Sequence, residues 1–581
     1  MKYTEKQVNV PLCAISTTSG LVNKTGTWKF AEPLFVDRTS PCNQQCPAGE
    51  DITGYMYLAG QGRFEEAWRL IMEENPFPAI MGRVCFHTCE ERCNRKDHDE
   101  AIAVHMVERF IGDYGLSKGL SIGPPKTERD EKIAVVGAGP GGLSAAYHLR
   151  RMGYAVSVFD SNEKPGGMMR YGIPPYRLTR EVLDAEINQL SEMGIEFTMG
   201  VRVGEDISWD SLNTGFDAIF IALGAWEETS LGIEGLDKER IFNALDFLRE
   251  VNLGQSPGIG NKVSIIGGGN SALDCARASR RLGAEVTIIY RRTEAEMPAH
   301  PEEVDMAREE GVQFLFLATP REACGNGKIT GIKLEKMALG EEDASGRRRP
   351  VPTGEFFDVQ CDGMIMAIGE GTRVDDLPSF IPHNSGVVET DPMGCTSYPK
   401  AFAGGDIIAI PHTVTHAIGS GKRAAIAIDR FLAGRNPDEE GPDQFRWGEN
   451  GNVSMGLING TALFPRRNTS SEVIAHKDMN TFYFDHRPRL EITRVPAKER
   501  LQGFQEVVTT PSQEEVVSEA QRCFNCGSCT ECGNCYIFCP DSAIKKDPDG
   551  YGFISDMDYC KGCGICVNEC PRGAMKMKFM E

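Results

Sequence analysis

The sequence predicts a multidomain α/β protein, and three observations carry that prediction. Two stretches each run strand, glycine turn, helix, strand: Lys132 to Asp160 and Val263 to Tyr290. Two cysteine runs of the form C-x2-C-x2-C-x3-C-P lie near the C-terminus, Cys529 to Pro540 and Cys560 to Pro571. Finally, 581 residues are too many for one hydrophobic core. The expected order is a helical iron–sulfur domain over 1–125 and a nucleotide-binding domain over 126–250 and 371–435. A second nucleotide-binding domain is inserted over 251–370. A linker or belt follows over 436–520, and a cysteine-rich domain over 521–581.

Composition narrows the function. Hydrophobic content of 41% with 25% charged residues is ordinary for globular domains. A net charge of −21 argues against nucleic acid and against an anionic membrane surface. The start, Met1-Lys-Tyr-Thr-Glu-Lys-Gln, has no apolar core of a signal peptide, and no apolar run approaches ~18 residues. A cytoplasmic protein is expected. Twenty cysteines there predict metal ligation in preference to disulfides.

Residues 1 to about 40 show little periodicity. Cys42-x3-Cys46-Pro47 follows, then a helical pattern from Ile52 through Ile71 with Phe64, Ala67, Trp68 and Ile71 on one face. Asn75-Pro-Phe-Pro78 breaks it. Cys85, Cys89 and Cys93 come next, ahead of a helix from about Ile102 to Tyr114. Five cysteines on short loops between helices suit an iron–sulfur cluster. Ser121 to Asp130 is a polar linker.

In the first nucleotide-binding unit the apolar strand leads into Gly137, Gly139, Pro140, Gly141 and Gly142, and Leu143 to Arg151 reads as a helix. The glycines let the backbone approach a pyrophosphate at the helix N-terminus. Asp160 ends the next strand, where an acid meets a ribose hydroxyl. Gly166-Gly167 is placed beneath the adenosine end of that nucleotide. Phe216 to Ala225 and Cys361 to Gly369 are buried strands ending in small residues, suited to the outgoing and returning crossovers between the two domains. The return ends at Gly405-Asp406, with a helix from about Thr415 to Leu432. Asp406 is placed on the ribityl chain of a flavin, and the helix N-terminus on its ring.

The second unit carries Gly267, Gly269, Asn270 and Ser271. The offset from Gly137 to Asp160, applied from Gly267, lands on Tyr290, and Arg291-Arg292 follow. The acid is replaced by two guanidinium groups, which suit a 2′-phosphate. The first site therefore reads as FAD and the second as NADPH, with NADH left open. Glu294 and Glu296 lie close and would soften the preference.

The C-terminal runs match bacterial ferredoxins, in which the fourth cysteine of each run ligates the other cluster. Cys529, Cys532, Cys535 and Cys570 are assigned to one [4Fe–4S] cluster, and Cys560, Cys563, Cys566 and Cys539 to the second.

With these residues placed, the chain resembles the glutamate synthase small-subunit family of iron–sulfur flavoproteins over roughly residues 25 to 435 and onward through the ferredoxin-like domain. Cys42-x3-Cys46-Pro47, Gly82-Arg-Val-Cys85 with Cys89 and Cys93, and Val107-Glu108-Arg109 carry the resemblance. So do Gly172-Ile-Pro-x-Tyr-Arg177, Tyr290-Arg-Arg292 and Gly405-Asp406. Arg522-Cys523-x2-Cys526-Gly527 ahead of the ferredoxin run is similar to the branch that includes the oxidoreductase serving dissimilatory sulfite reductase. The resemblance implies an N-terminal cluster on Cys46, Cys85 and Cys89 with Glu108 as fourth ligand, and counts Arg177 among the cofactor residues. Family members with two N-terminal clusters have an additional C-x2-C upstream of the position of Cys42; here only Cys13 precedes it. Cys42, Cys93, Cys523 and Cys526 are expected to hold a further cluster, within one chain or between two.

The expected activity is that of an NAD(P)H:acceptor oxidoreductase. Hydride passes between nicotinamide and flavin, and single electrons leave through the clusters. That chemistry needs no side-chain acid or base, so no catalytic residue is named. The expected partner is a redox protein: a ferredoxin, a sulfite reductase, a 2-oxoacid oxidoreductase or glutamate synthase. Assembly is left open between a homodimer and a subunit of a hetero-complex. A thiol–disulfide reductase shares the architecture but needs a cysteine pair beside the flavin. A non-catalytic relay or assembly subunit would have vestigial nucleotide sites, which the intact glycines and Asp160 oppose. The glutamate synthase small subunit itself is the remaining alternative.

Overall fold

Lys132–Val136 is buried from Ile133 onward, the mark of a central parallel strand covered on both faces. In the computed structural model it is the middle of a parallel sheet ordered Ala401–Ala403, Ala218–Ile221, Lys132–Val136, Ala155–Asp160, Glu196–Met199. A second parallel sheet repeats the plan as Gln313–Phe316, Glu285–Tyr290, Lys262–Ile266, Gly363–Met366, Ile241–Asn243. It lies in sequence between Ala218–Ile221 and Ala401–Ala403 of the first, so the second nucleotide fold is inserted in the first. The crossovers pair with each other, Glu227–Glu228 antiparallel to Glu370–Gly371. The structure describes residue 22 and residues 24–580, apart from 344–345, 375–376, 438–442, 465–469 and 549. Cys13 lies outside the described residues.

The chain forms two units, the larger built from residues 42–463 and 487–523. Its N-terminal helices are Ile52–Gly60, Phe64–Met72, Pro78–Val84 and Val104–Ser117. The single helix expected from Ile52 to Ile71 is in fact two, because Gly62 adopts the left-handed conformation (φ +73°) between them. Pro78–Val84 lies directly on Val104–Ser117. A Cβ on Gly82 would lie 2.3 Å from Arg109 Cα, and one on Gly112 2.2 Å from Ala79 N. Residues 487–523 run across the same unit. Arg489 pairs with Glu90, Val507 N donates to Tyr176 O (3.1 Å), and Arg500 pairs with Glu309 (2.8 Å). An antiparallel sheet of Ala318–Cys324, Gly331–Glu342 and Arg348–Gln360 belongs to the second nucleotide domain; its last strand is largely exposed.

The smaller unit comprises residues 1–41, 464–486 and 524–581. Ala31–Phe35 pairs antiparallel with Met575–Phe579, Ala31 opposite Phe579. Ile544–Lys546 pairs with Phe553–Ser555. Phe35, Ile544, Phe553 and Met575 form its core with Cys535 and Cys566. Among the described residues, no helix is long and apolar enough to cross a membrane.

Candidate functional site

The glycines of the two turns divide by what surrounds them. A Cβ on Gly142 would lie 1.8 Å from Gly137 O, and one on Gly267 2.0 Å from Ala367 O, so the protein's own packing requires those glycines. Gly139 and Gly269 are different. A Cβ on Gly139 would meet nothing nearer than Gly167 Cα at 3.9 Å, and one on Gly269 nothing within 4 Å. Both precede the first turn of a helix, Pro140–Arg151 and Asn270–Arg281, whose unpaired N–H groups attract an anion. Open space at these two positions fits a dinucleotide pyrophosphate.

Both turns open on one cavity of about 200 Å³. Gly139, Pro140, Gly141, Gly405 and Asp406 line it from the flavin side, and Asn270, Ser271, Asp274 and Glu370 from the other. It meets a second cavity of about 430 Å³ at Asp160 and Gly224, which line both. The second cavity is bounded by Gly137, Asn162 and Trp209. Together they offer the elongated space an extended dinucleotide needs. The Asp160 carboxylate accepts from Ala138 N (2.7 Å), Asn162 N (2.8 Å) and Asn162 Nδ2 (2.9 Å), which fixes it at the end of its strand. Asp406 Oδ1 is buried with no protein partner. Burial pushes its carboxyl up to about 6; His412 opposes the rise and Glu370 adds to it. An orphaned acceptor here fits a flavin hydroxyl.

Gly166-Gly167 packs against the first glycine turn. Gly167 lines the first cavity, and a Cβ on it would lie 2.6 Å from Gly139 Cα. Gly166 N donates to Ala138 O (2.8 Å), so the pair packs under that turn. Arg177 lines the cavity too, with its guanidinium on Asp274 (2.8 Å).

The two arginines of the second unit part company. Arg291 is exposed and Arg292 buried. Arg292 donates to Arg348 O (2.7 Å) and to Asp343 Oδ2 (2.7 Å). Glu294 and Glu296 are engaged elsewhere, Glu294 with Arg308 and Glu296 with Arg348 (2.6 Å) and Thr293. Asn270 Oδ1 accepts from His300 N (3.0 Å), and Ser271 Oγ donates to Glu370 (3.3 Å).

Cys46 and Cys85 lie within electrostatic reach of Glu108, and Cys89 within reach of both thiols. Burial raises the thiols of Cys46 and Cys89 far above the ordinary value, and that of Cys85 to about 12. The Glu108 carboxylate adds to the rise at Cys85 and Cys46, and Cys42 adds at Cys89. Glu108 is itself raised, by burial and by Glu50. Asn75 Nδ2 bridges Glu50 (2.9 Å) and Glu108 (3.2 Å). Three thiols and a carboxyl converging in a buried site suit iron, whose positive charge offsets what burial penalises. Burial raises the Cys93 thiol and the Arg522 charge opposes the rise; the Arg522 carbonyl accepts from Arg95 (3.0 Å).

In the smaller unit, two further cavities of about 20 Å³ each divide the eight ferredoxin-run cysteines. Cys529, Cys532, Cys535 and Cys570 line one; Cys539, Cys560, Cys563 and Cys566 line the other. These are the crossed sets that the ferredoxin run implies. Ala543 N donates to Cys539 Sγ (3.2 Å) and Ala574 N to Cys570 Sγ (3.3 Å).

Sequence reasoning missed Asn75, Glu50, Lys422 and Thr415. Lys422 is fully buried and pairs with Glu74, which also accepts from Ser454, Met455 N (2.9 Å) and Gly456 N (2.8 Å). A lone lysine in the small-residue helix Val414–Leu432 was the available signal.

Comparison with known proteins agrees with this geometry. Residues 131–421 match the pyridine nucleotide-disulphide oxidoreductase family. Residues 36–120 match dihydropyrimidine dehydrogenase domain II, 4Fe-4S cluster, and 528–575 a 4Fe-4S dicluster domain. The chain is 36% identical to NADP(+)-dependent formate dehydrogenase subunit beta of Moorella thermoacetica, over 84% of this chain and 70% of that one. It is 37% identical to NADPH-Fe(3+) oxidoreductase subunit beta of Geobacter sulfurreducens, over 85% and 76%. It is 36% identical to the glutamate synthase [NADPH] small chain of Escherichia coli, over 67% and 88%.

Proposed function

The chain belongs to the pyridine nucleotide-disulphide oxidoreductase family, and from that premise we propose that it is the electron-input subunit of a larger redox complex. Its class is that of FAD- and iron–sulfur-dependent NAD(P)H oxidoreductases, and its relatives are named as subunits. One observation carries the reading. A single cavity has the flavin turn on one wall, the second nucleotide turn on the other, and Val84 and Phe86 beside Cys85 in between.

FAD, when bound here, would supply hydride acceptance from a nicotinamide and one-electron donation to the clusters. The chain's own residues do the positioning. Gly139 and the first turn of Pro140–Arg151 receive the flavin pyrophosphate, Asp160 its ribose and Asp406 its ribityl hydroxyl. Asn270 and Ser271 hold the second nucleotide against the flavin, and Arg291 and Arg292 favour NADPH through its 2′-phosphate. Cys46, Cys85, Cys89 and Glu108 hold the N-terminal cluster next to the cavity. The eight cysteines of the ferredoxin runs hold two more, and these form the exit to a protein acceptor. The work is assigned to the cytoplasm. Among the described residues lining the cavity there is no cysteine, and Cys275 is buried with its Sγ toward Ala244 O, which disfavours disulfide reduction.

Anaerobic addition of NADPH to the purified protein tests the proposal. Flavin absorbance should bleach, and EPR signals of reduced clusters should follow. Ser substitutions of Cys532 and Cys563 should block delivery to a protein acceptor and leave the bleaching intact. A flavin that neither NADPH nor NADH bleaches would overturn the reading.

A further inference from the structure

We infer that Thr415 is a positioning residue for the N-terminal iron–sulfur centre, setting its reduction potential through a hydrogen bond from its hydroxyl to Cys85 Sγ. The inference rests on the reading of Cys85 as a cluster ligand. The Oγ1–Sγ distance is 3.2 Å, and Thr415 is 5% exposed. The same sulfur accepts from His87 N at 3.4 Å.

Thr415 is the second residue of the helix Val414–Leu432, whose start is fixed by the Thr413 side chain accepting from His416 N (3.2 Å). That leaves the threonine little freedom to aim elsewhere. Chain neighbours of both ends of the hydrogen bond line the nucleotide cavity. Val414, next to Thr415, lines it, and so do Val84 and Phe86 on either side of Cys85. The hydroxyl and the sulfur therefore meet one residue away from the cavity lining on each chain segment. Packing alone does not explain a hydroxyl here. Valine has the same shape and would bury no polar group, whereas a buried hydroxyl without an acceptor is costly. The acceptor that Thr415 finds is the ligand sulfur.

A hydrogen bond to a ligating sulfur draws charge from it and favours the more negative, reduced cluster, which raises the potential. No motif marks this residue, since its partner is 330 positions away in the chain.

The test uses the full-length holoprotein and EPR-monitored redox titration. Thr415→Val should shift the N-terminal centre to lower potential while the C-terminal clusters keep theirs. Thr415→Ser, which keeps the hydroxyl, should hold the wild-type midpoint. An unmoved midpoint in Thr415→Val overturns the inference, as does a shift in Thr415→Ser as large as that in Thr415→Val. Cys85→Ser separates the two layers. A persisting N-terminal signal in that variant overturns the ligand reading. If the signal is lost there and Thr415→Val still leaves the midpoint unmoved, the tuning role alone falls.

Discussion

Arg177 and Asp274 form a buried ion pair, Nη1 to Oδ2 2.8 Å, that ties the flavin fold to the second nucleotide fold across their shared cavity. Arg177 follows the Gly172-Ile-Pro segment of the first, and Asp274 lies on the helix Asn270–Arg281 of the second. Tyr176, beside Arg177 in the chain, reinforces the junction. The guanidinium groups of Arg277 and Arg281 lie over its ring, at 4.6 and 4.0 Å from the centroid.

Breaking this pair should loosen the domain junction before it disturbs either nucleotide. Asp274→Ala leaves Arg177 with Glu303 (3.3 Å) as its carboxylate partner among the described residues. The cost should be about 3 kcal/mol, the low end for removing one partner of a buried pair. Replacing both partners by apolar residues, Arg177→Met with Asp274→Leu, should recover most of it. Thermal unfolding of the holoprotein reads the stability, and stopped-flow flavin reduction reads the domain alignment. A double variant no more stable than the single one would contradict the account.

Asp406 gives a pH dependence of flavin binding. Burial raises its carboxyl to about 6. A folded value above the unfolded one means that protonation stabilises the fold below the ordinary carboxylate range. That contribution is lost as pH rises through about 6. A flavin hydroxyl donated to Oδ1 favours the ionised form instead, so FAD affinity should fall as pH drops through about 6. Asp406→Asn should flatten this dependence and weaken binding about tenfold at neutral pH, the worth of one hydrogen bond to a charged group. Fluorescence titration of apoprotein with FAD between pH 5 and 8 measures both, and a wild-type affinity flat across that range would refute the assignment.

For nucleotide preference the structure gives Arg291 and Arg292 unequal parts. Arg291 is exposed and ready for a 2′-phosphate, while Arg292 must exchange Asp343 for it. Arg291→Ala should lower kcat/KM for NADPH about tenfold or more and leave NADH unchanged. Asp343→Asn should improve NADPH use, because it frees Arg292 from a competing carboxylate. Steady-state kinetics with both nucleotides decides, and an enzyme faster with NADH and indifferent to both substitutions removes the role.

What the sequence made legible follows from how local each signal is. Gly137 to Asp160 is one continuous unit, so its turn, helix and acid could be read in register, and Gly137, Gly139 and Asp160 line the two adjoining cavities. The crossed ferredoxin sets were legible because the spacing fixes them. The break at Gly62 was not, since an isolated glycine is tolerated inside helical patterns. The pairing of Ala31–Phe35 with Met575–Phe579 joins the two ends of the chain, and no periodicity encodes that. Arg292 could be named from its position, but its capture by Asp343 depends on a β-hairpin whose register the sequence leaves open.

The last prediction concerns the cysteines outside the three expected clusters. Cys42, Cys93 and Cys523 all pack against the same apolar core of the larger unit. The charge of Arg522, next to Cys523, opposes the burial that raises the Cys93 thiol, and the Arg522 carbonyl accepts from Arg95. Cys42 is close enough to Cys89 to raise its thiol. The sequence supplies a fourth thiol in Cys526, at the two-residue spacing typical of ligands on one turn. Buried thiols with no metal are the alternative, since unligated cysteine is commonly buried and inert. Iron content separates them. Cys523→Ser with Cys526→Ser should remove one cluster's worth of iron per chain and the matching component of the reduced EPR spectrum. Cys93→Ser should remove the same component, and Cys275→Ser, on a helix of the second nucleotide fold, should remove nothing. Iron content and spectrum unchanged in the Cys523/Cys526 double variant would leave the protein with three clusters and these four cysteines as packing.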